Sequence, residues 1–274
     1  MPRSSRGRFH TFIPAAALMA SLAMSSQTAT ASIIIDSFST SHSATITVPD
    51  FSALPITVSP NGVVPLGTTI GGARMLAAHV NAGEEEDQYR LRVSNASGFA
   101  SIETSALVTG KGLITYNGTT TPNSGVTAGE FNAPANYNLA PTDITQGGTN
   151  SGVVVLGHSD NNGIPIIFTF WVNSGTYATG TMNMPGSVSS ILTSHFLAFN
   201  SFTATGDTLA NILAGVRAIT VEFDGTSASV TPGTDVVLDY IIADNDASVP
   251  EPGTYATMGG ALLGLGFLRR RLSR

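Results

Sequence analysis

Short β-branched and aromatic runs recur along this chain, separated by residue pairs that close tight turns. The pairs are Asn61-Gly62, Asn117-Gly118, Asn162-Gly163 and Asp224-Gly225, joined by Asn-Ser-Gly triplets that start at Asn123, Asn150 and Asn173. Asn-Gly and Asp-Gly favour the positive φ that two-residue hairpins need. Strands are therefore expected at 32–38, 44–48, 73–80, 89–93, 99–104 and 112–116. Further strands are expected at 153–156, 164–172, 176–184, 188–199, 217–223 and 235–242.

About a dozen short strands without alternating helices predict an all-β, antiparallel two-sheet sandwich of jelly-roll type. Within 217–223, Ile219, Val221 and Phe223 fall on one face and Ala218, Thr220 and Glu222 on the other, as a half-buried strand requires. The segment 235–242 is apolar on both faces except for Asp239. One helical turn is expected after Asp207, through Leu209, Ile212 and Leu213. From Pro122 to Gly152 the residues suit one long irregular connection.

Charge separates the ends from the middle. Seven of the twelve basic residues are terminal: Arg3, Arg6, Arg8, Arg269, Arg270, Arg271 and Arg274. Between residues 32 and 249 five basic residues face seventeen acids, a net charge of −12. That balance repels phosphate and excludes nucleic acid as a partner. Without cysteine there is no disulfide framework, zinc-thiolate site or thiol nucleophile.

The termini read as addresses. Arg3, Arg6 and Arg8 precede an apolar stretch from Phe9 to Met24, and Ala29-Thr30-Ala31 supplies small residues for signal peptidase. Residues 1–31 are thus expected to be a secretory signal peptide, cut after Ala31. A β-sandwich domain is expected over 32–248. At the other end, Pro250-Glu251-Pro252 precedes a glycine-rich apolar segment and then Arg269-Arg270-Arg271. Thr254 to Leu268 would span about 22 Å as a helix, less than a bilayer core. This short C-terminal transmembrane helix suits transient rather than lasting anchorage, with the arginines on the cytoplasmic side.

Those three parts, in that order over residues 249–274, resemble the PEP-CTERM sorting signal of exported bacterial proteins. The resemblance implies recognition by an exosortase-like membrane protein associated with exopolysaccharide production. It makes Pro250, Glu251, Pro252, Arg269, Arg270 and Arg271 the recognition residues. The middle resembles, more loosely, the β-rich domains found ahead of such tails. The likeness lies in Ile35-Asp36-Ser37-Phe38, Gly71-Gly72-Ala73-Arg74, Thr115-Tyr116-Asn117-Gly118, Val216-Arg217-Ala218-Ile219 and Leu238-Asp239-Tyr240-Ile241. Two acids of that pattern are replaced, by Ala73 and Asn117.

Chemistry-bearing patterns are sparse. Gly157-His158-Ser159-Asp160 sets three triad residue types side by side, but adjacent strand residues point to opposite faces, so it reads as a strand end entering a turn. His42, His79, His158 and His195 show no zinc-ligand spacing. Asp36 in the first strand and Asp239 in the last could meet if the termini lie side by side, which gives a candidate structural calcium site. For a saccharide, the aromatic candidates are Tyr116, Trp171 and Tyr137. Tyr137 is the loop-borne candidate ligand residue, and Trp171 lies in the most apolar strand.

The expected function is a non-catalytic, exported component of the cell surface or extracellular matrix, with exopolysaccharide as its candidate contact. Its place is the cell envelope or the exterior, reached by way of the inner membrane. The alternative is a divergent extracellular carbohydrate-active enzyme on a jelly roll.

Overall fold

The computed structural model describes residues 32–47, 56–58, 61–63, 69–83, 87–94, 98–118, 133–134, 136–160, 163–186, 191–227, 230 and 232–245, all within the unit Ser32–Arg274. Ala29, Ala31 and the whole tail from Val249, with its expected helix, lie outside the described residues. Among the described residues no helix is long and apolar enough to cross a membrane.

The strands in chain order are β1 (Ile33–Asp36), β2 (His42–Thr47), β3 (Ile56–Val58), β4 (Asn61–Val63), β5 (Ala73–Ala82), β6 (Gln88–Ser94), β7 (Phe99–Thr104) and β8 (Thr109–Tyr116). They continue with β9 (Gly152–Ser159), β10 (Ile164–Asn173), β11 (Thr176–Met184), β12 (Thr193–Ala198), β13 (Thr203–Thr205), β14 (Ala218–Asp224) and β15 (Val236–Asp244). Among the described residues one α-helix, α1 (Leu209–Ala214), is capped by Thr208, whose hydroxyl accepts from the Asn211 amide. Asp207 supports that cap by accepting from the Thr208 amide and the Asn211 side chain.

Two antiparallel sheets result, as the alternation requires. The first runs β12-β9-β15-β7-β6-β2, with β1 on β15 beyond the end of β7. The second runs β13-β11-β10-β14-β8-β5-β3, with β4 also on β5. Strands distant in sequence lie side by side, β15 between β9 and β7 and β14 between β10 and β8. This is the crossed connectivity of a jelly-roll sandwich.

The facing surfaces share one apolar core. Leu76, Ile114, Val221, Phe168 and Phe170 from the second sheet meet Leu91, Ile102, Val155, Val236 and Ile241 from the first. Phe170, Phe199 and Phe202 close one part of it, with ring centroids 5.3–6.0 Å apart. The outer face of the second sheet is covered as well: Ala77, Leu113, Thr115, Trp171 and Thr220 are all buried.

The both-faces apolar character of 235–242 has a local cause. Leu238 pairs with Gly157 and Tyr240 with Leu156, so Asp239 is the extra residue of a β-bulge. Val236 and Leu238 face the core before it, Ile241 and Ala243 after it. The bulge shifts the inward phase by one residue, which lets the odd-numbered apolar positions point inward too.

Short strands were the hardest to foresee. β3, β4 and β13 have three residues each, too few to show periodicity. Asn61-Gly62 lies inside β4 rather than closing a hairpin, with Gly62 opposite Arg74.

Candidate functional site

Three stretches distant in sequence, around Asp36, Arg74 and Tyr116, converge in space. Asp36 ends β1, Arg74 opens β5 and Tyr116 ends β8, and their side chains meet in the interior. Arg74 Nη1 donates to both carboxylate oxygens of Asp36, the Tyr116 hydroxyl donates to Oδ2 at 2.8 Å, and the Phe38 amide donates to Oδ1 at 2.7 Å. Arg74 Nη2 also donates to the Thr40 carbonyl. Burial pushes the Asp36 carboxyl up, against the pull of Arg74 and of the Phe38 and Tyr116 donors. Burial and the Asp36 charge hold the Tyr116 phenol well above its ordinary value. Tyr116, a saccharide candidate by sequence, is therefore committed to the interior.

Beside this knot, Gly71 and Gly118 pack together: a Cβ on Gly71 would lie 3.2 Å from the Gly118 Cα and would meet the Leu139 side chain. The loop is laced to the same corner by Asn138 N to Asn117 O, Leu139 N to Arg217 O, and mutual bonds between Thr142 and Val216.

Asp36 and Asp239 do lie on neighbouring strands, since Asp36 pairs with Ile241. Asp36 spends both oxygens on Arg74 and its companions, and among the described residues no cation pairs with Asp239, whose carboxyl burial raises. A calcium ion there would have to displace a guanidinium. Among the described residues no group of three or more His, Asp or Glu side chains gathers closely enough to hold a metal ion.

Tyr137 is half-buried in the long connection, its ring 6.3 Å from that of Trp171, which stacks at 4.6 Å on Tyr177. Among the described residues the buried Tyr137 hydroxyl meets no hydrogen-bond partner, and burial raises its phenol. Trp171 is 5% exposed and donates through Nε1 to Thr220 Oγ1 at 3.0 Å. It is buried on the outer face of the second sheet rather than between the sheets. Thr220 belongs to a row in register across five strands, Thr115, Thr220, Thr169, Thr179 and Thr203.

His158 and Ser159 point to opposite sides at the end of β9. Ser159 is buried and donates to main-chain carbonyls of Asp160 and Asp235, as a strand end entering a turn should.

A groove of about 260 Å³ opens on the first sheet, lined by Gln88, Arg90, Glu103, Thr104, Ser105 and Asp235. Register assembles it. Arg90 faces Glu103 across β6 and β7, and Val236 lies between Ile102 and Ser159, which brings Asp235 level with Glu103 and Asp160. Arg90 Nη1 sits 3.1 Å from Glu103 Oε2, and Ser101 Oγ donates to Oε1 at 2.9 Å. Asp235 Oδ1 accepts from the Thr104 amide at 2.8 Å, and the Asp235 amide donates to Asp160 Oδ1 at 2.7 Å. Burial raises the Asp235 carboxyl, and the charges of Asp160 and Glu103 add to this against the Thr104 bond. Two carboxylates, a guanidinium, an amide and two hydroxyls thus share one concavity, a donor and acceptor set suited to a polyhydroxylated ligand. None of these residues carries a local sequence signal, because their grouping depends on a strand order that spacing does not reveal.

A model of the PEP-CTERM protein-sorting motif matches residues 248–271. No curated protein sequence matches the chain. Among solved structures, the Family 11 carbohydrate-binding module from Clostridium thermocellum, in complex with a beta-1,3-1,4-mixed-linked tetrasaccharide, is 11% identical, with a TM-score of 0.34 over 78% of this chain and 96% of that one. PfGH50B is 9% identical, with a TM-score of 0.35 over 61% of this chain; the match spans only 22% of PfGH50B.

Proposed function

We propose that this chain, which carries a PEP-CTERM protein-sorting motif, is a non-catalytic component of the bacterial cell surface or extracellular matrix that contacts exopolysaccharide. The observation that carries this reading is the placement of the motif. It begins at Ser248, directly after a β-sandwich whose last strand ends at Asp244. The folded domain is the cargo and the tail its address. Signal peptidase would release the chain after Ala31, and an exosortase-like membrane protein would engage Pro250 to Pro252 while the short apolar segment holds the domain at the membrane. The test follows the mature protein in its producing organism. Expected are a surface or matrix location, a C-terminus lacking Arg269 to Arg274 by mass spectrometry, and retention on the organism's own exopolysaccharide. A surface form with an intact C-terminus, or one not retained by that polymer, overturns the reading.

A second reading, a carbohydrate-active enzyme, is favoured by one feature. Glu103 and Asp235 line the same groove, and burial raises the Asp235 carboxyl, the direction a general acid requires. Shortening of the polymer on incubation, lost in Asp235→Asn, would support the enzyme; binding without shortening supports the surface component.

A further inference from the structure

We propose that the Arg90–Glu103–Asp235 groove is a subsite for a single sugar unit bearing a free amine, with Asp235 as its counter-charge. The inference rests on the polysaccharide reading and names the ligand class within it.

The argument begins with charge. Of the two groove carboxylates, Glu103 is neutralised by Arg90 at 3.1 Å and approached by Arg92 at 3.9 Å. No cation pairs with Asp235 among the described residues. Oδ1 of Asp235 takes the Thr104 amide, and among the described residues no donor reaches Oδ2. Asp160 stands on its other side, and among the described residues no cation pairs with it either. A half-buried carboxylate with no paired cation is the uncompensated charge of the groove, so an ammonium entering there gains at this point more than a hydroxyl does.

The walls distinguish a sugar from a basic side chain. Gln88, Thr104, Ser105 and Arg90 bring donors and acceptors around the rim. A lysine would lay its aliphatic stem against these polar atoms without satisfying them. A pyranose ring instead presents hydroxyls all round its edge and one amine to Asp235. The volume suits one ring, so neighbouring units of a polymer would run on across the sheet.

The probe is a β-1,4-linked glucosamine tetramer, compared by calorimetry with its fully N-acetylated counterpart, using the mature protein. Binding of the free-amine tetramer is expected, at least tenfold tighter than the acetylated one. Asp235→Asn keeps an oxygen for the Thr104 amide, and should weaken binding tenfold or more with little change in Tm. Asp207→Asn, in the exposed turn before α1, should leave binding unchanged and so controls for general attraction to an acidic protein. Equal affinity for the two tetramers, no loss in Asp235→Asn, or equal binding of a tetralysine peptide overturns the proposal. Retention on native exopolysaccharide with no affinity for either tetramer also overturns it, and leaves the surface-component reading standing.

Discussion

Arg74 places one guanidinium nitrogen 3.0 Å from Oδ1 and 2.8 Å from Oδ2 of Asp36, and both side chains are fully buried. Desolvating both charges offsets much of their attraction, so the pair adds little over well-packed apolar residues; removing one partner leaves the other uncompensated. Arg74→Leu is expected to cost about 3–5 kcal/mol in urea unfolding. Tyr116→Phe removes one of several donors to Asp36 and should cost about 1–3 kcal/mol. Arg74→Lys should not restore stability, because a single ammonium cannot reach both Asp36 and the Thr40 carbonyl in the same geometry. Equal stability of Arg74→Leu and wild type would show that the pair does not hold this corner.

The glycines beside the pair separate backbone strain from steric clash. Gly118 has φ +69°, and a Cβ there would lie 2.7 Å from the Asn138 carbonyl oxygen; Gly147 has the same φ with nothing within 4 Å. Gly147→Ala should therefore cost only the left-handed penalty, about 1–2 kcal/mol. Gly118→Ala adds displacement of the 138–139 backbone and should cost clearly more. Thermal unfolding of the two variants compares them directly, and equal shifts would refute the clash.

What the sequence could show divides along physical lines. Phe99–Thr104 and Thr176–Met184 are strands to the residue as expected, because period-two alternation is local and each is bounded by turn residues. The inward face of β14 follows from the same alternation. The bulge at Asp239 does not, since an extra residue is visible only against the register of β9. The candidate site was illegible for a related reason. Arg90, Glu103 and Asp235 are separated by 13 and then 132 positions, and only the β6-β7-β15 order joins them. The sequence offers Asp36 only as a candidate calcium ligand, because the guanidinium that meets it lies 38 residues away.

Two histidines give the domain a pH dependence of definite sign. Burial and the nearby Lys111 lower His79, and burial lowers His195. The unfolded chain therefore takes protons at the ordinary value of 6.5 before the folded one does. Stability from this source is present above that value and is lost as pH falls below it. Asp235 and Asp239, both raised, act in the opposite sense toward lower pH. The prediction is accordingly made by difference: between pH 7.5 and 5.5 the Tm of wild type should fall relative to that of the double variant His79→Gln, His195→Gln. Parallel curves would remove the two histidines as the cause.

The pairing of β1 with β15 also bears on calcium. Asp36 pairs with Ile241, two residues beyond the Asp239 bulge, so the two acids are close along the sheet. A hard cation prefers several ionised oxygens, yet those of Asp36 already accept from Arg74, Tyr116 and the Phe38 amide. Displacing the guanidinium would leave Arg74 as an unpaired charge in the core, and Asp239 alone adds too few oxygens for an ion. Chelation of the mature protein is therefore expected to leave Tm unchanged, and Asp239→Asn should be neutral or slightly stabilising, since it removes a half-buried charge from the bulge. A chelator-induced fall in Tm that is reversed by calcium and abolished in Asp239→Asn would instead assign the ion to this strand pair.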